Sequence, residues 1–163
     1  MALRSLRKAF RRLQLVKVGL LEGVMGRFLS GWPISEIPEN QHLLLSIREH
    51  LVALFNTRRG SLGHLDDYGL PDISEVCDKM PGSIAELQKA IRETIVKYEP
   101  RIKQVQVVEH EEADENSTAF SVSFNIFAQI VDGPPAYFRA RFSTLSPTQV
   151  NNLLRRQSTT PRI

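Results

Sequence analysis

Phe120 to Ile130 reads FSVSFNIFAQI. Phe120, Val122, Phe124, Ile126, Ala128 and Ile130 fall on one side, and Ser121, Ser123, Asn125 and Gln129 on the other. Strict alternation of this length predicts a β-strand with one buried face and one wet or partner-facing face. Asp132-Gly133 followed by Pro134 and Pro135 predicts a turn. Beyond it Phe138, Ala140 and Phe142 alternate with Tyr137, Arg139 and Arg141, which predicts a second strand. Upstream, the period is already two from Ile102. Val105 and Val107 share a face with Lys103, Ile102 and Val108 share the other, and His110 to Asn116 forms an acidic hairpin tip. The expectation is an antiparallel sheet of three strands, whose two open edges invite strand addition by another chain.

Before the sheet the period is that of a helix. Leu44, Ile47, Leu51 and Leu54 make one stripe of a helix from Glu39 to Asn56, with Arg48 and Glu49 off the stripe. Ile84, Leu87, Ile91, Ile95 and Tyr98 make a second, stopped by Pro100. Ser83 with Glu86 reads as its capping box, and Glu93 with Lys97 as an exposed ion pair. Between the helices lies a polar loop, Arg58 to Asp72, and ordered loops of such length are often functional. Trp32, beside Pro33, reads as a core-edge residue or a partner anchor. Ser146-Pro147 with Gln149 predicts a last short helix to about Arg156. The fold class is α+β, with N-terminal helices packed on one face of a small antiparallel sheet. Residues 1–30 form a basic amphipathic segment, 31–145 the domain, and 146–163 a short helix and basic tail.

The chain has 163 residues, 24% charged and 42% hydrophobic, which excludes wholesale disorder. Cys77 is the single cysteine, so an internal disulfide and a Cys-rich zinc site are excluded, and a reducing setting is expected. The net charge of +3 hides three zones. Residues 1–27 carry seven Lys/Arg and one acid, residues 28–132 nine and seventeen, and residues 133–163 five Arg and no acid, summing as 6 − 8 + 5 = 3. In the first zone Leu3, Leu6, Phe10, Leu13 and Lys17 recur at helical spacing, ringed by Arg4, Arg7, Lys8, Arg11 and Arg12. That pattern suits a docking helix and equally a membrane-surface helix.

Candidate chemistry is thin. Ser61, His64, Asp66 and Asp67 superficially suggest a triad, but they crowd one loop rather than converging from a rigid frame. His42 and His50, eight residues apart, read as helix-surface histidines and not as a metal pair. No phosphate loop follows Gly60 or Gly63. Tyr137, Phe138, Arg139 and Arg141 have the composition of a single-strand nucleic-acid platform, or of a half-buried strand with Arg on its wet face. No cofactor, metal or catalytic residue is expected. A peptidoglycan-cleaving enzyme and a small nucleic-acid-binding module stand as alternative functions.

Three blocks carry a resemblance. They are LFNTRRG (Leu54 to Gly60), DYGLPD (Asp67 to Asp72) and YEPRI (Tyr98 to Ile102). In this order, ahead of an antiparallel sheet, they resemble the TssE family, the baseplate wedge subunits of type VI secretion systems, grouped with lysozyme-like phage-tail wedge proteins. The likeness covers about residues 39–131. It implies a structural, non-catalytic part of a cytoplasmic baseplate near the inner membrane. Such a part joins the wedge built with TssF and TssG to the first ring of the contractile sheath. From the residues themselves, the corner fixed by Pro100 is expected to be a sheath interface at Glu99, Pro100 and Arg101, the polar loop an interface containing Arg58, Arg59, Gly60, Asp67, Tyr68 and Gly69, and the N-terminal stripe, outside the likeness, a wedge-docking segment through Leu3, Leu6, Phe10 and Leu13. For Glu99 and Arg101 a second role is open, that of tying the corner to the loop through Asp67 or Arg58.

Overall fold

The computed structural model describes residues 18–79, 81–110, 121–131 and 133–153. The stripe at residues 3–13, Phe120, Asp132 and the tail beyond 153 lie outside them. Among the described residues four helices come first: α1 (Leu20–Met25), α2 (Glu39–Phe55), α3 (Ile73–Asp78) and α4 (Ser83–Tyr98), with a 3-10 turn at Ile34–Glu36. Then come β1 (Ile102–His110), β2 (Ser121–Ile130), β3 (Ala136–Ser143) and β4 (Gln149–Asn152), antiparallel in that order. No helix among the described residues is long and apolar enough to cross a membrane.

The alternating strands bury the side expected of them. Val122, Phe124, Ile126, Ala128 and Ile130 of β2 meet Phe138, Ala140 and Phe142 of β3 in one core layer. Ile47, Leu51 and Leu54 of α2, with Leu87, Ile91 and Ile95 of α4, close it from the other side. Each of the Val, Leu, Ile and Phe side chains among them contributes roughly 1.5–3 kcal/mol of apolar burial.

Four local readings are corrected. Among the described residues the segment after Ser146 holds a strand, not a helix, so the sheet there has four strands. Gln149 to Asn152 pair with Arg141 to Phe138, satisfying β3 backbone groups that a helix would leave open, and Val150 enters the core. Ile102 lies on the same buried face as Val105 and Val107 because the register slips between Ile102 and Gln104, and an extra residue shifts alternation by one. The Ser83 hydroxyl does not cap α4 but donates to the Val76 carbonyl of α3, and Gly82 occupies the cap position. Glu93 pairs with Lys89 at 3.9 Å, leaving Lys97 for the loop.

Candidate functional site: a charge-locked corner

Pro100 ends α4, and two residues later β1 begins. The third sequence block, Tyr98 to Ile102, forms this corner. The Glu99 side chain is fully buried. Arg101 grips it with two 2.7 Å bonds, Nε to Oε1 and Nη2 to Oε2. A bidentate fork of this kind is the strongest side-chain pair available, because both partners are ionised and planar. On the far side His50 Nδ1 lies 2.8 Å from Oε2. Since an ionised carboxylate only accepts, this ring nitrogen carries the hydrogen.

Arg101 reaches further. Its Nη1 donates at 2.7 Å to the Ser46 hydroxyl, which donates at 2.6 Å to buried Glu22. Glu22 also accepts from the Gly19 backbone N–H at the start of α1. A third buried acid, Glu49, accepts from the backbone N–H groups of Leu29 and Ser30. Three buried carboxylates thus tie α1 and its following turn to α2 and to the corner. This is how burying a charge becomes tolerable: every one has donors.

Burial alone would raise the Glu99 carboxyl. The hydrogen bonds from Arg101 and His50 outweigh burial and hold it at about 2, below its ordinary 4.5. The sign follows. A carboxyl whose value is depressed by folding stabilises the native state above its ordinary value, and loses that stabilisation as pH falls toward the depressed one. The difference amounts to about 3 kcal/mol, in place above pH 4.5 and drained between about pH 4.5 and 2. Glu99→Gln should therefore be less stable at neutral pH and should show a flatter acid limb. Urea unfolding at pH 7, 4 and 2.5 checks this, and equal acid limbs for both proteins would refute it.

The loop closes onto the same corner. Leu70 is buried, and its N–H donates to the Thr57 carbonyl while its own carbonyl accepts from Arg59. Asp67 is bonded to Lys97 Nζ and to the Tyr98 hydroxyl on the last turn of α4. Tyr68 packs edge-on against Tyr98, ring centroids 4.9 Å apart. Burial raises the Tyr68 hydroxyl value, with the nearby Glu99 charge adding to it. Arg58 pairs with Asp72 at 3.3 Å and with Glu75 at 3.4 Å. So Asp67 and Arg58 do hold the loop, but with partners other than Glu99 and Arg101.

Two expectations for the histidines fail. His42 is buried, its Nε2 lies 2.6 Å from the Ile37 carbonyl oxygen, and its ring meets Phe28; His50 is the Glu99 donor. Ser46 and Glu22 had no assigned role at all. The available signal was a second stripe on α2, His42, Ser46, Glu49 and His50, polar and at helical spacing. The suspected triad does not assemble. His64 bonds to none of Ser61, Asp66 and Asp67 among the described residues, and all four are exposed or nearly so. The hydrogen bonds from Lys97 and Tyr98 lower the Asp67 carboxyl value, which keeps it ionised and unsuited to donate a proton. On β3, Phe138 faces the core, while Arg139 and Arg141 bond to Asn125 and Ser121, so that strand offers no row of free aromatic faces.

Beside the corner runs a largely apolar groove of about 510 Å³, bounded by Leu20, Leu21, Leu29 and Val131. Leu20 and Val24 of α1 are 72% and 78% exposed, and Trp32 is 58% exposed rather than tucked at the core edge. An apolar surface of this kind is where a protein partner is expected.

The profile of the family described as Baseplate wedge protein gp25 matches residues 41–132, more than half of the chain. No curated protein matches it. A solved chain described as "The baseplate complex from the type VI secretion system" is similar at 27% identity and a TM-score of 0.56, covering 66% of this chain and 98% of that one. The matched residues contain the three blocks, the charge-locked corner and the first two strands, and on that ground the chain belongs to the baseplate wedge protein gp25 family, with the likeness to TssE upheld.

Proposed function

We propose that this chain joins the wedge complex, built with TssF and TssG, to the first ring of the contractile sheath, and starts sheath assembly. The reading places it in the cytoplasm, in a baseplate near the inner membrane, without catalytic activity. The observation that carries it is an open-edged sheet whose first strand starts from a corner fixed by buried charges. A template for strand exchange must hold its edge still, and the Glu99–Arg101–His50 lock does that.

Within this reading Glu99 acts from inside, by orienting Arg101. Pro100, which is exposed, and the uncovered margin of Arg101 present the corner to the sheath. Exposed Arg59 and Gly60 in the loop lie open to the same partner or to the wedge. The second attachment is the N-terminal stripe. Leu3, Leu6, Phe10 and Leu13 would form that stripe, and exposed Leu20 and Val24 of α1 add apolar surface beyond the Gly19 cap. A segment this short gains order only against something.

The test is made in the native cell. Loss of the chain should abolish fluorescent sheath structures, and the full chain should restore them. A chain lacking residues 1–17 should fold, but pull down less TssF and TssG. Normal sheaths without the chain would refute the assembly role. Unchanged wedge binding by the truncated chain would refute the docking stripe, and flotation with anionic liposomes lost on truncation would make it a membrane anchor.

A further inference from the structure

The core and the two helices that close it lie on one face of the sheet. The strand register fixes what stands on the other. There Phe127 lies opposite Tyr137, Asn125 opposite Arg139, and Ser123 opposite Arg141. Among the described residues no Asp, Glu or Lys holds an outward place in any of the three ladders. Glu109, in register with buried Phe124, belongs to the inner side. Residues 28–132 carry seventeen acids, so their absence here is a property of the face and not of the composition.

Phe127 and Tyr137 are 39% and 37% exposed, and their rings meet edge to face with centroids 5.4 Å apart. One row further along, Arg139 Nε donates to the Asn125 side-chain oxygen at 3.1 Å. Beyond it, Arg141 reaches the Ser121 hydroxyl at a long 3.4 Å. Ser123, in register with Arg141, is 2% exposed, and its hydroxyl has no hydrogen-bond partner among the described residues. A buried hydroxyl without an acceptor lowers stability, and a bound group that supplies the acceptor accounts for it. A carboxylate seated beside Arg141 would accept from both. Aromatic rings and Arg at the centre, amides around them and neither Lys nor acid is the composition of a protein interface core.

We propose that this outer face is the docking site of a partner protein's amphipathic helix, its apolar stripe laid on Phe127 and Tyr137 and its flanking acids paired with Arg139, Arg141 and the Ser123 hydroxyl. The proposal goes beyond the assembly reading and depends on neither the corner nor the sheet edges. Four strands span about 14 Å at their usual spacing, and a helix with its side chains is about 10–12 Å across. One helix therefore covers the aromatic pair and leaves both Arg at its flank, adding a third layer to a domain that has two. Other occupants fit less well. A second copy docked face to face would bring Arg139 and Arg141 near their own counterparts. A nucleic-acid strand stacks on separate ring faces, and these two rings are turned edge to face on each other. The strands hold nine, ten, eight and four residues, and about half of them face outward. That is fewer than the roughly 20–30 residues a side of a standard interface, so affinity should be modest, about micromolar.

The experiment titrates the isotope-labelled full chain with a helical peptide whose Leu stripe is flanked by Glu, with its Lys-for-Glu counterpart, and with oligothymidylate. Amide shifts are the readout, the side-chain amides of Asn125 and Gln129 included. The Glu peptide should shift these together with Phe127, Tyr137 and Arg139, and bind more weakly as salt rises. Arg139→Glu/Arg141→Glu, with unchanged melting temperature, should bind it at least about tenfold more weakly and prefer the Lys peptide. If that variant melts lower, Arg139→Gln/Arg141→Gln takes its place, with binding at least about threefold weaker. Ser123→Ala should melt no lower than wild type, since the hydroxyl it removes has no partner, yet bind the Glu peptide a few-fold more weakly. Equal response to the two peptides, shifts centred on the corner or a sheet edge, undiminished binding by the Arg or Ser variant, or displacement of the Glu peptide by oligothymidylate would overturn the proposal.

Discussion

Arg101→Ala is expected to destabilise the protein by about 3–5 kcal/mol at neutral pH, the loss typical of breaking a buried ion pair from one side. The cause is not the missing contact so much as the Glu99 carboxylate left behind. Its side chain is fully buried, and Arg101 supplies both of its shortest bonds. Ser46 loses the donor that links it to the corner as well. The deficit should shrink in acid, because an abandoned carboxyl takes up a proton more readily than one held at about 2. Arg101→Lys should fall between wild type and Ala, since an ammonium keeps the charge but loses the planar fork. The double variant Glu99→Gln/Arg101→Ala should lose less than the two single losses added together. Urea denaturation across pH measures all of these. A wild-type stability for Arg101→Ala would leave the corner without its lock.

Gly69→Ala should cost about 3 kcal/mol or more, from left-handed backbone strain and from loosening the buried residue beside it. Gly69 has φ +94, and a Cβ there would lie 2.1 Å from the Thr57 carbonyl oxygen. That same oxygen accepts the Leu70 N–H, so moving the strands of the loop apart breaks the bond and pulls Leu70 from the core. Gly60 is the control. It has φ +80 but open space around its Cα, so Gly60→Ala should cost only about 1–2 kcal/mol. Melting temperatures of the two variants separate the cases, and equal losses would show that the Thr57 approach is not what demands glycine at position 69.

The parts of the fold legible in the sequence are those whose burial is periodic. The alternation of β2 and β3 and the stripes of α2 and α4 are recorded in side-chain type, because one face of each element meets the same core. β4 was not legible. Gln149 to Asn152 holds one apolar residue, and what makes it a strand is the open side of β3, a fact about another segment. The slip near Lys103 was hidden likewise, since a bulge leaves no mark in composition. The corner was half legible. The three blocks pointed to it, and Pro100 showed where the chain turns. Glu22, Ser46, Glu49 and His50 stayed hidden, because apolar periodicity identifies the core side of a helix but not which polar side chains find distant buried partners. Glu99 meets His50 across 49 residues, and Arg101 meets Ser46 across 55.

The corner and the loop share a physical logic that suits an assembly part better than a catalyst. The three buried carboxylates here all have donors, with Glu99 held ionised well below neutral pH. Catalytic acids and bases work with values near the operating pH, which this arrangement avoids. Rigidity is its product, and a rigid sheet edge is what strand addition requires.

Affinity purification of the full chain from its own cell, with the sheath and wedge subunits identified among the captured proteins, tests the central claim most directly. The account predicts that both classes co-purify with the wild-type chain, and that the sheath class is lost from Arg101→Ala at a temperature where that variant remains folded. Capture of neither class by the wild-type chain, or turnover of purified peptidoglycan by it that one carboxylate substitution removes, would contradict the account.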